Sequence, residues 1–131
     1  MITLSVYRCN NILKDIVRLV KSKPPSFFHI KKLRGYSGWC VWEDKTNGDH
    51  IQLDYRHCLF STAIHECVHY LFPHWPETQV RYAEKRIINN VDTLSLSKLL
   101  LELTNKIYQC EFGKHRGVYA KAKTVTRKKR K

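Results

Sequence analysis

The segment STAIHECVHYLFPHWPE, residues 61–77, constrains this chain more than any other part of its sequence. Two of its histidines, His65 and His69, are four residues apart, and Glu66 directly follows the first. A helix advances about 100° per residue, so side chains four apart lie one turn above another on the same face. The spacing therefore predicts a helix that presents two imidazoles and a carboxylate together.

Neutral imidazole is a common ligand of zinc, and catalytic zinc sites combine three protein ligands with a fourth position for water. His65 and His69 can supply two of these ligands. Glu66 lies on the adjoining edge of the same face, from where its carboxylate can take a proton from the activated water and deliver it to a leaving amine. Five residues thus provide two metal ligands and a general base.

The alternative interpretation is a buried helix whose histidines are hydrogen-bonded core or surface residues. The remaining positions of the segment are apolar almost all round: Ala63, Ile64, Cys67, Val68, Leu71 and Phe72. Burying two imidazoles and a carboxylate in such a helix is costly unless each has a polar partner. A bound metal ion would be such a partner, which favours the zinc site.

The length of 131 residues is enough for one domain, and the net charge of +13 is concentrated at its C-terminal end. Residues 113–131 contain nine basic residues and no acidic one, whereas residues 1–112 contain 15 basic and 11 acidic residues, a net +4. The tail has too little apolar content to offset its ordering entropy. We therefore expect one folded domain, residues 1–112, and a disordered basic tail, residues 113–131, with a boundary near Phe112.

The tail ends in an uninterrupted basic run, Arg127, Lys128, Lys129, Arg130 and Lys131. Three interpretations stay open: a solvated extension without a target, non-specific binding to nucleic-acid phosphates, or association with an acidic partner. The tail contains one aromatic residue, Tyr119, and so lacks the stacking platform of a dedicated single-strand binder.

The cysteines and the hydropathy pattern bear on the cellular compartment. The five cysteines are scattered without a C-x-x-C pair: Cys9, Cys40, Cys58, Cys67 and Cys110. This set suggests neither a disulfide framework nor a thiolate zinc site, and favours a reducing compartment. With no signal-peptide pattern and no apolar run approaching about 18 residues, we expect a cytoplasmic protein without membrane contact.

The remaining segments predict the elements around the active helix. NNILKDIVRLVKS, residues 10–22, has helical periodicity and is followed by two prolines. FFHIKKL predicts a short strand, and GWCVWEDKTNGDHIQLDY predicts a hairpin. In its second strand we expect Ile51, Leu53 and Tyr55 on a buried face, with Gln52 and Asp54 facing water.

The C-terminal half is predicted to be helical. We expect Ser61 or Thr62 to be the N-cap of the active helix and Pro73 to end it. ETQVRYAEKRIINNV predicts a further helix with Pro76 near its first turn, and LSLSKLLLELTNKIYQC a last, strongly apolar helix. This order of elements predicts an α+β fold with helices packed on one face of a small antiparallel sheet.

The run HIQLDYRHCLFSTAIHECVHYLFPHWPETQVRYAEKRI resembles the small gluzincin-type zinc metallopeptidase domains, namely the minigluzincins and related phage-encoded metallopeptidases. The resemblance covers about residues 11–92. It implies a zincin-like domain: an N-terminal helix, a short antiparallel sheet with a hairpin, an H-E-x-x-H helix, a glutamate helix and a C-terminal helix. It further implies Zn²⁺ as cofactor, His65 and His69 as ligands, and Glu66 as general base.

The third zinc ligand has two candidates on the predicted glutamate helix. In the phage-type relatives, a loop with proline is followed by a glutamate and then, three positions later, by an aliphatic residue. Here this pattern is Pro73, Glu77 and Val80, so the resemblance implies Glu77. Glu84 lies about two turns further along the same face, and helical geometry alone leaves it as the alternative.

Two other residues near the motif are weaker candidates for metal ligands. His74 follows His69 without the glycine and at one residue less than the H-x-x-G-x-x-H spacing of metzincins, so we interpret it as a loop histidine. Cys67 lies between the ligand histidines but points to another face of the helix. We therefore expect Cys67 in the core.

The resemblance also implies that a peptide substrate lies extended along an edge strand of the sheet. The candidates are the segment from His50 to Tyr55 and its neighbour from Trp39 to Trp42. A group that stabilises the oxyanion is needed as well. Tyr82, Arg81 and His74 are near in sequence, but none matches a motif, so this role stays unassigned.

The sequence thus predicts a zinc-dependent metallopeptidase that hydrolyses peptide bonds through a metal-activated water, with peptides or proteins as substrates. The alternative is a non-catalytic, basic, nucleic-acid-associated protein whose zinc site is structural or vestigial. A fourth protein ligand such as Glu84 or His74 would displace the water and favour this alternative.

Overall fold

The computed structural model describes residues 1–46 and 48–110. The described chain has an α+β fold with four helices and a small three-stranded mixed sheet. This confirms the predicted α+β class. The predicted domain boundary near Phe112 and the basic tail of residues 113–131 lie outside the described residues.

Helix α1 (Val6–Ser22) is the predicted N-terminal helix, and it begins four residues earlier than its apolar pattern indicates. Ser5 is its N-cap: the Ser5 Oγ accepts a hydrogen bond of 3.1 Å from the backbone N–H of Arg8. The two prolines that follow Lys23 prevent the helix from continuing. One face is buried in the core, at helical spacing: Cys9, Ile12, Leu13, Ile16, Leu19 and Val20.

The sheet contains β1 (Phe28–Ile30), β2 (Gly38–Val41) and β3 (His50–Leu53), in the order β1-β3-β2. Strands β2 and β3 form the predicted antiparallel hairpin. Strand β1, however, pairs with β3 in parallel, so the expectation of an antiparallel sheet was wrong. Local periodicity identifies strands but does not say which strand becomes central. Here β3 lies between the two others.

Asp54 fastens the end of β3 to the chain that follows β1. Its side chain is buried and accepts hydrogen bonds from the backbone N–H of Leu33 at 2.8 Å and of Arg56 at 2.9 Å. The Arg56 guanidinium also pairs with this carboxylate at 2.6 Å and donates to the Leu33 carbonyl at 2.9 Å. The prediction that Asp54 faces water and Tyr55 is buried was wrong, because the strand ends at Leu53 and Tyr55 is exposed.

Three helices follow the sheet: α2 (Leu59–Leu71), α3 (Glu77–Asn90) and α4, residues 93–110. Helix α2 packs against β2 and β3 on one side and against α1 and α3 on others. Its N-cap is Cys58 rather than Ser61 or Thr62, because the helix starts two residues before Ser61. Pro76 is the N-cap of α3, close to its predicted place in the first turn.

The core lies where α1, α2 and α3 meet the sheet. Its largest fully buried side chains include Phe28, Ile51, Leu53 and Ile64. Helix α4 adds Leu99 and Leu103, while several of its other leucines stay exposed. None of the described helices is long and apolar enough to cross a membrane.

We expect Asp54→Asn to lower the midpoint of thermal unfolding at pH 7 by several degrees. The substitution removes the ionised acceptor for Arg56 and for the Leu33 N–H, and leaves buried groups with weaker partners. Asp15→Asn is the matched control, because the exposed Asp15 pairs only across one helical turn with Arg18. Thermal unfolding followed by circular dichroism measures both variants.

The same pair of variants predicts a pH dependence. The Arg56 side chain, together with the backbone N–H groups of Leu33 and Arg56, holds the pKa of Asp54 well below its usual range. The stabilisation by ionised Asp54 is therefore complete above about pH 5, about one unit above the unfolded-state pKa, and is lost progressively as the pH falls towards the lower folded-state pKa. The difference in unfolding midpoint between wild type and Asp54→Asn should shrink from pH 5 towards pH 2. An unchanged difference contradicts this assignment.

Candidate metal centre

His65 and His69 lie on one face of α2, as their spacing predicts. Their ring centroids are 4.9 Å apart. The side chains are 13% and 25% exposed, so each imidazole is seated in the fold and still reaches solvent. This exposed side of α2 faces the start of α3, which brings further polar groups to the two rings.

The turn between α2 and α3 directs Glu77 to the histidines. It is a short segment in which the Trp75 N–H donates to the Phe72 carbonyl at 3.0 Å. The rings of Phe72 and Trp75 stack at 4.1 Å, and this contact closes the turn. Pro76 then fixes the entry to α3, so Glu77 is the first helical residue. A position eight residues beyond His69 thereby returns to the same surface.

The Glu77 carboxylate bridges the two imidazoles. Its Oε1 lies 2.8 Å from the Nε2 of His65, and its Oε2 lies 2.7 Å from the Nε2 of His69. One ligand atom from each of the three residues lies within 4.8 Å of the others. Arg81, one turn further along α3, donates from Nε to Glu77 Oε1 at 3.3 Å. The structure thus brings together the three residues that the resemblance implies as ligands.

Glu84 approaches the opposite nitrogen of His65. Its Oε2 lies 3.4 Å from His65 Nδ1, whereas Glu77 is at Nε2. An imidazole that donates from Nδ1 to a carboxylate keeps the lone pair on Nε2 free for another partner. The two glutamates that the sequence left as alternatives therefore lie on different sides of the same ring, and Glu84 is placed to orient His65 rather than to share its Nε2.

The charges in this cluster affect one another. Burial would lower the pKa of His65, but the hydrogen bond that His65 donates to Glu84 and the charges of Glu77 and Glu66 outweigh it and raise this pKa. Burial would raise the pKa of Glu77, but its hydrogen bond to His69 and the neighbouring positive groups lower it. The three carboxylates near His65 thus favour the positively charged form of this imidazole.

The donor set fits Zn²⁺. Two imidazole nitrogens and one carboxylate oxygen are the ligand types that zinc takes in catalytic sites, and such sites need a side open to water or substrate. The Glu77 carboxylate already meets both Nε2 atoms, and its side chain is 48% exposed, so the cluster is accessible from solvent. Within the described residues, this is the group of histidine, cysteine and acidic side chains that could hold a metal ion.

Glu66 lies on the sheet side of the same cluster. Its side chain is buried, and burial raises the pKa of its carboxyl group. The Cys40 Sγ on β2 lies 3.3 Å from Glu66 Oε2, which gives the carboxylate a partner inside the fold. Glu66 is therefore held between β2 and α2, beside the two histidines.

A cleft of about 590 Å³ opens in front of these side chains. It is bounded by β2 and the preceding loop on one side and by α2 and α3 on the other. Its lining includes the aromatic residues Tyr36, Trp39 and Trp42, the polar residues His65, Glu66, His69, Glu77 and Arg81, and also Gly35, Gly38, Cys40 and Pro73. The site is thus accessible along the length of one strand.

The sheet order decides which strand can border a substrate. Of the two candidate segments, the one from His50 to Tyr55 contains the central strand β3, which is paired on both sides. Its choice as an edge strand was wrong. The segment from Trp39 to Trp42 contains most of β2, which lines the cleft and, within residues 1–46 and 48–110, has a strand neighbour on one side only.

The remaining residues that the sequence analysis considered lie in different parts of the structure. His74 is exposed and outside the cluster, and Cys67 is buried in the core as predicted. The Tyr82 hydroxyl accepts a hydrogen bond from the Leu4 N–H at 3.2 Å and so faces the N-terminal segment, while Arg81 lines the cleft. The basic run from Arg127 to Lys131 lies outside the described residues.

Sequence reasoning missed the contribution of β2. Cys40 contacts Glu66, and Gly38 lies directly against the same side chain. Neither residue belongs to a motif, and each lies more than 25 residues from Glu66 in the chain. The available signal was a glycine and a cysteine two residues apart in the predicted hairpin that precedes α2.

Comparisons of this chain with protein-family models, with curated proteins and with solved structures found no match.

We expect Glu77→Ala to weaken zinc binding more than Glu84→Ala does. Glu77 contacts both Nε2 atoms, whereas Glu84 contacts only His65 Nδ1, and loss of such an orienting carboxylate typically costs about 10–100-fold in metal affinity. Competition with a chromophoric chelator measures both affinities. Glu102→Ala is the matched control, because Glu102 pairs with Lys21 away from the site. A larger loss in Glu84→Ala than in Glu77→Ala would reverse the two roles.

Proposed function

We propose that this chain is a zinc-dependent metallopeptidase of the gluzincin type, with a zincin-like domain. The observation that carries the proposal is the convergence of His65 Nε2 and His69 Nε2 on one carboxylate of Glu77, with Glu66 buried beside them at the end of an open cleft. A structural zinc site would be closed by a fourth protein ligand. His74 is exposed and Glu84 is at the far nitrogen of His65, which supports an open site.

His65, His69 and Glu77 would hold the zinc ion, and Glu84 would orient His65 through its Nδ1. Zinc bound there would lower the pKa of a water molecule towards neutrality and polarise the carbonyl of the scissile peptide bond. A bound zinc ion would replace the direct contacts of Glu77 with the two histidines. This needs little movement, because the Glu77 carboxylate already lies between the two Nε2 atoms.

Glu66 is the proposed general base. Its carboxylate would accept the proton of the attacking water and return it to the nitrogen of the leaving amine, so that one group serves both proton transfers. Its raised pKa suits this role, because a carboxylate that binds a proton more readily than usual is a stronger base near neutral pH. The side chain is also shielded from bulk water, which keeps the transferred proton within the site.

The substrate would lie extended in the cleft beside β2. This strand is at the edge of the sheet, so its outer backbone groups can pair with a peptide backbone. Tyr36 and Trp39 are in edge-to-face contact at 5.4 Å, and both are half exposed at the cleft. Trp42 stacks on Tyr70 of α2 at 4.7 Å, which fixes a second aromatic surface further along. These surfaces suit apolar substrate side chains.

The decisive experiment is Glu66→Gln. This variant should keep stoichiometric zinc and lose peptide hydrolysis by about 10²- to 10⁴-fold, because the amide cannot accept the proton. Zinc content and the cleavage of a peptide library measure the two effects, and Glu102→Gln serves as the remote control. Retained hydrolysis in Glu66→Gln would exclude the proposed mechanism, and loss of zinc would show that Glu66 acts on the metal.

The alternative of a nucleic-acid-associated protein depends on the basic tail. Nucleic-acid binding by the tail is compatible with peptidase activity, because the tail could retain the enzyme on DNA or RNA.

Deletion of residues 113–131 removes nine basic residues. It should weaken retention on duplex DNA at low salt and reduce the salt dependence of binding. Peptide hydrolysis should be unchanged, because the proposed site is built from residues up to Glu84. Undiminished DNA retention in the truncated chain would contradict a role of the tail in binding.

A further inference from the structure

Two small residues of β2, Gly38 and Cys40, are directly in contact with Glu66 on α2. Residues two apart in a strand point to the same face of the sheet. Here that face is the one against which α2 packs. The side chain of Glu66 therefore lies against β2 at two successive positions, and the properties of these positions determine how much freedom the carboxylate has.

Cys40 supplies a hydrogen-bond donor. Its Sγ lies 3.1 Å from the backbone carbonyl oxygen of Glu66 and 3.3 Å from Glu66 Oε2. Burial, with a further contribution from the nearby Glu66 charge, raises the pKa of the Cys40 thiol far above its usual range. The thiol is thus protonated at neutral pH, and among the described residues the two oxygen atoms hydrogen-bonded to its sulfur both belong to Glu66.

Gly38 supplies space. A Cβ at this position would lie 2.5 Å from Thr62 Cγ2 and 2.9 Å from Glu66 Cγ, both far inside normal contact distances. The Oε1 atom of Glu66 would lie 3.3 Å from this added Cβ. The glycine is required by the close approach of α2 to β2 and not by an unusual backbone conformation. Any larger residue would clash with both Thr62 and Glu66, so the Glu66 side chain keeps its present place against β2 only beside a glycine.

We propose that Gly38 and Cys40 are positioning residues for Glu66: the glycine admits its side chain against β2, and the thiol fixes one carboxylate oxygen so that the other stays free to act in the cleft. This inference rests on the proposed function. A glutamate side chain has three rotatable bonds, and misplacement of a reacting group by about 1 Å can cost about 10²-fold in rate. Strand β2 would then border the substrate and align the base at the same time.

The first test compares Cys40→Ser and Cys40→Ala. The hydroxyl of Cys40→Ser can still donate to Glu66, so this variant should keep kcat within a few-fold of wild type. Cys40→Ala has no donor, and its kcat should fall about 10-fold or more, with KM and zinc content unchanged. Cys58→Ala is the matched control, because Cys58 is exposed at the start of α2. Equal activity of Cys40→Ala and wild type would overturn the proposal.

The second test concerns Gly38. Gly38→Ala alone combines two clashes, and the closer one is with the methyl group of Thr62. Thr62→Ser removes this methyl group, so the double variant Gly38→Ala/Thr62→Ser should unfold at nearly the temperature of Thr62→Ser. Its kcat should still fall about 10-fold or more, because the contact with Glu66 Cγ remains. Wild-type kcat in the double variant would show that Gly38 has no positioning role.

A third measurement does not depend on activity. The infrared S–H stretching band of Cys40, identified by its absence in Cys40→Ser, should move to higher frequency in Glu66→Ala, because the charged acceptor is lost. It should not move in Glu84→Ala. An identical band in wild type and Glu66→Ala would show that the thiol serves only the backbone carbonyl, and would overturn the proposal. If the wild type hydrolyses no peptide, the proposed function fails, while this band still decides whether Cys40 holds the Glu66 carboxylate.

Discussion

Helix α2 is buried on most sides and yet carries two imidazoles and a carboxylate. The rest of the site depends on the need of these three polar side chains for hydrogen-bond partners. A polar group enclosed in a protein without a partner costs about 1–3 kcal/mol or more. In the described residues, no buried side-chain nitrogen or oxygen lacks a hydrogen-bond partner. The partners come from elements on opposite sides of α2: β2 provides Cys40 for Glu66, and α3 provides Glu77 and Glu84 for the histidines.

The two neighbours of α2 contact different residues of the site: α3 contacts the histidines, and β2 contacts Glu66. Helix α3 presents Glu77, Arg81 and Glu84 along one side, at spacings of four and three residues, so one short helix provides a group for each nitrogen of His65. Strand β2 approaches α2 so closely at Gly38 that no Cβ fits there. The proposed ligands and the proposed base are thus held from different directions, and their mutual geometry depends on how α2 packs between α3 and the sheet.

The position of β2 depends in turn on the rest of the sheet. Strand β3 is central and is fastened at its carboxyl end by Asp54, which binds the chain after β1 through Leu33 and Arg56. Because β3 is paired on both sides, β2 is left at the edge beside the cleft. The aromatic residues of that region, including Trp39 and Trp42, then line the space in front of the histidines. The ion pair of Asp54 and Arg56, which directly follows the β3 residue that pairs with Gly38, therefore helps to determine which strand borders the site.

The sequence by itself determined the features that depend on contacts within one turn or one hairpin. The face shared by His65 and His69, the buried stripe of α1 and the pairing of β2 with β3 all follow from periods of 3.6 or 2 residues. Only the tertiary structure decided the features that depend on distant partners: the parallel pairing of β1, the burial of Asp54, and the contact of Cys40 with Glu66. Glu77 and Glu84 lie on the same face of α3, and helical spacing alone does not distinguish them. Their different approach to His65 arises from the turn at Phe72 and Trp75 and from the packing of α3 on α2, which no local period encodes.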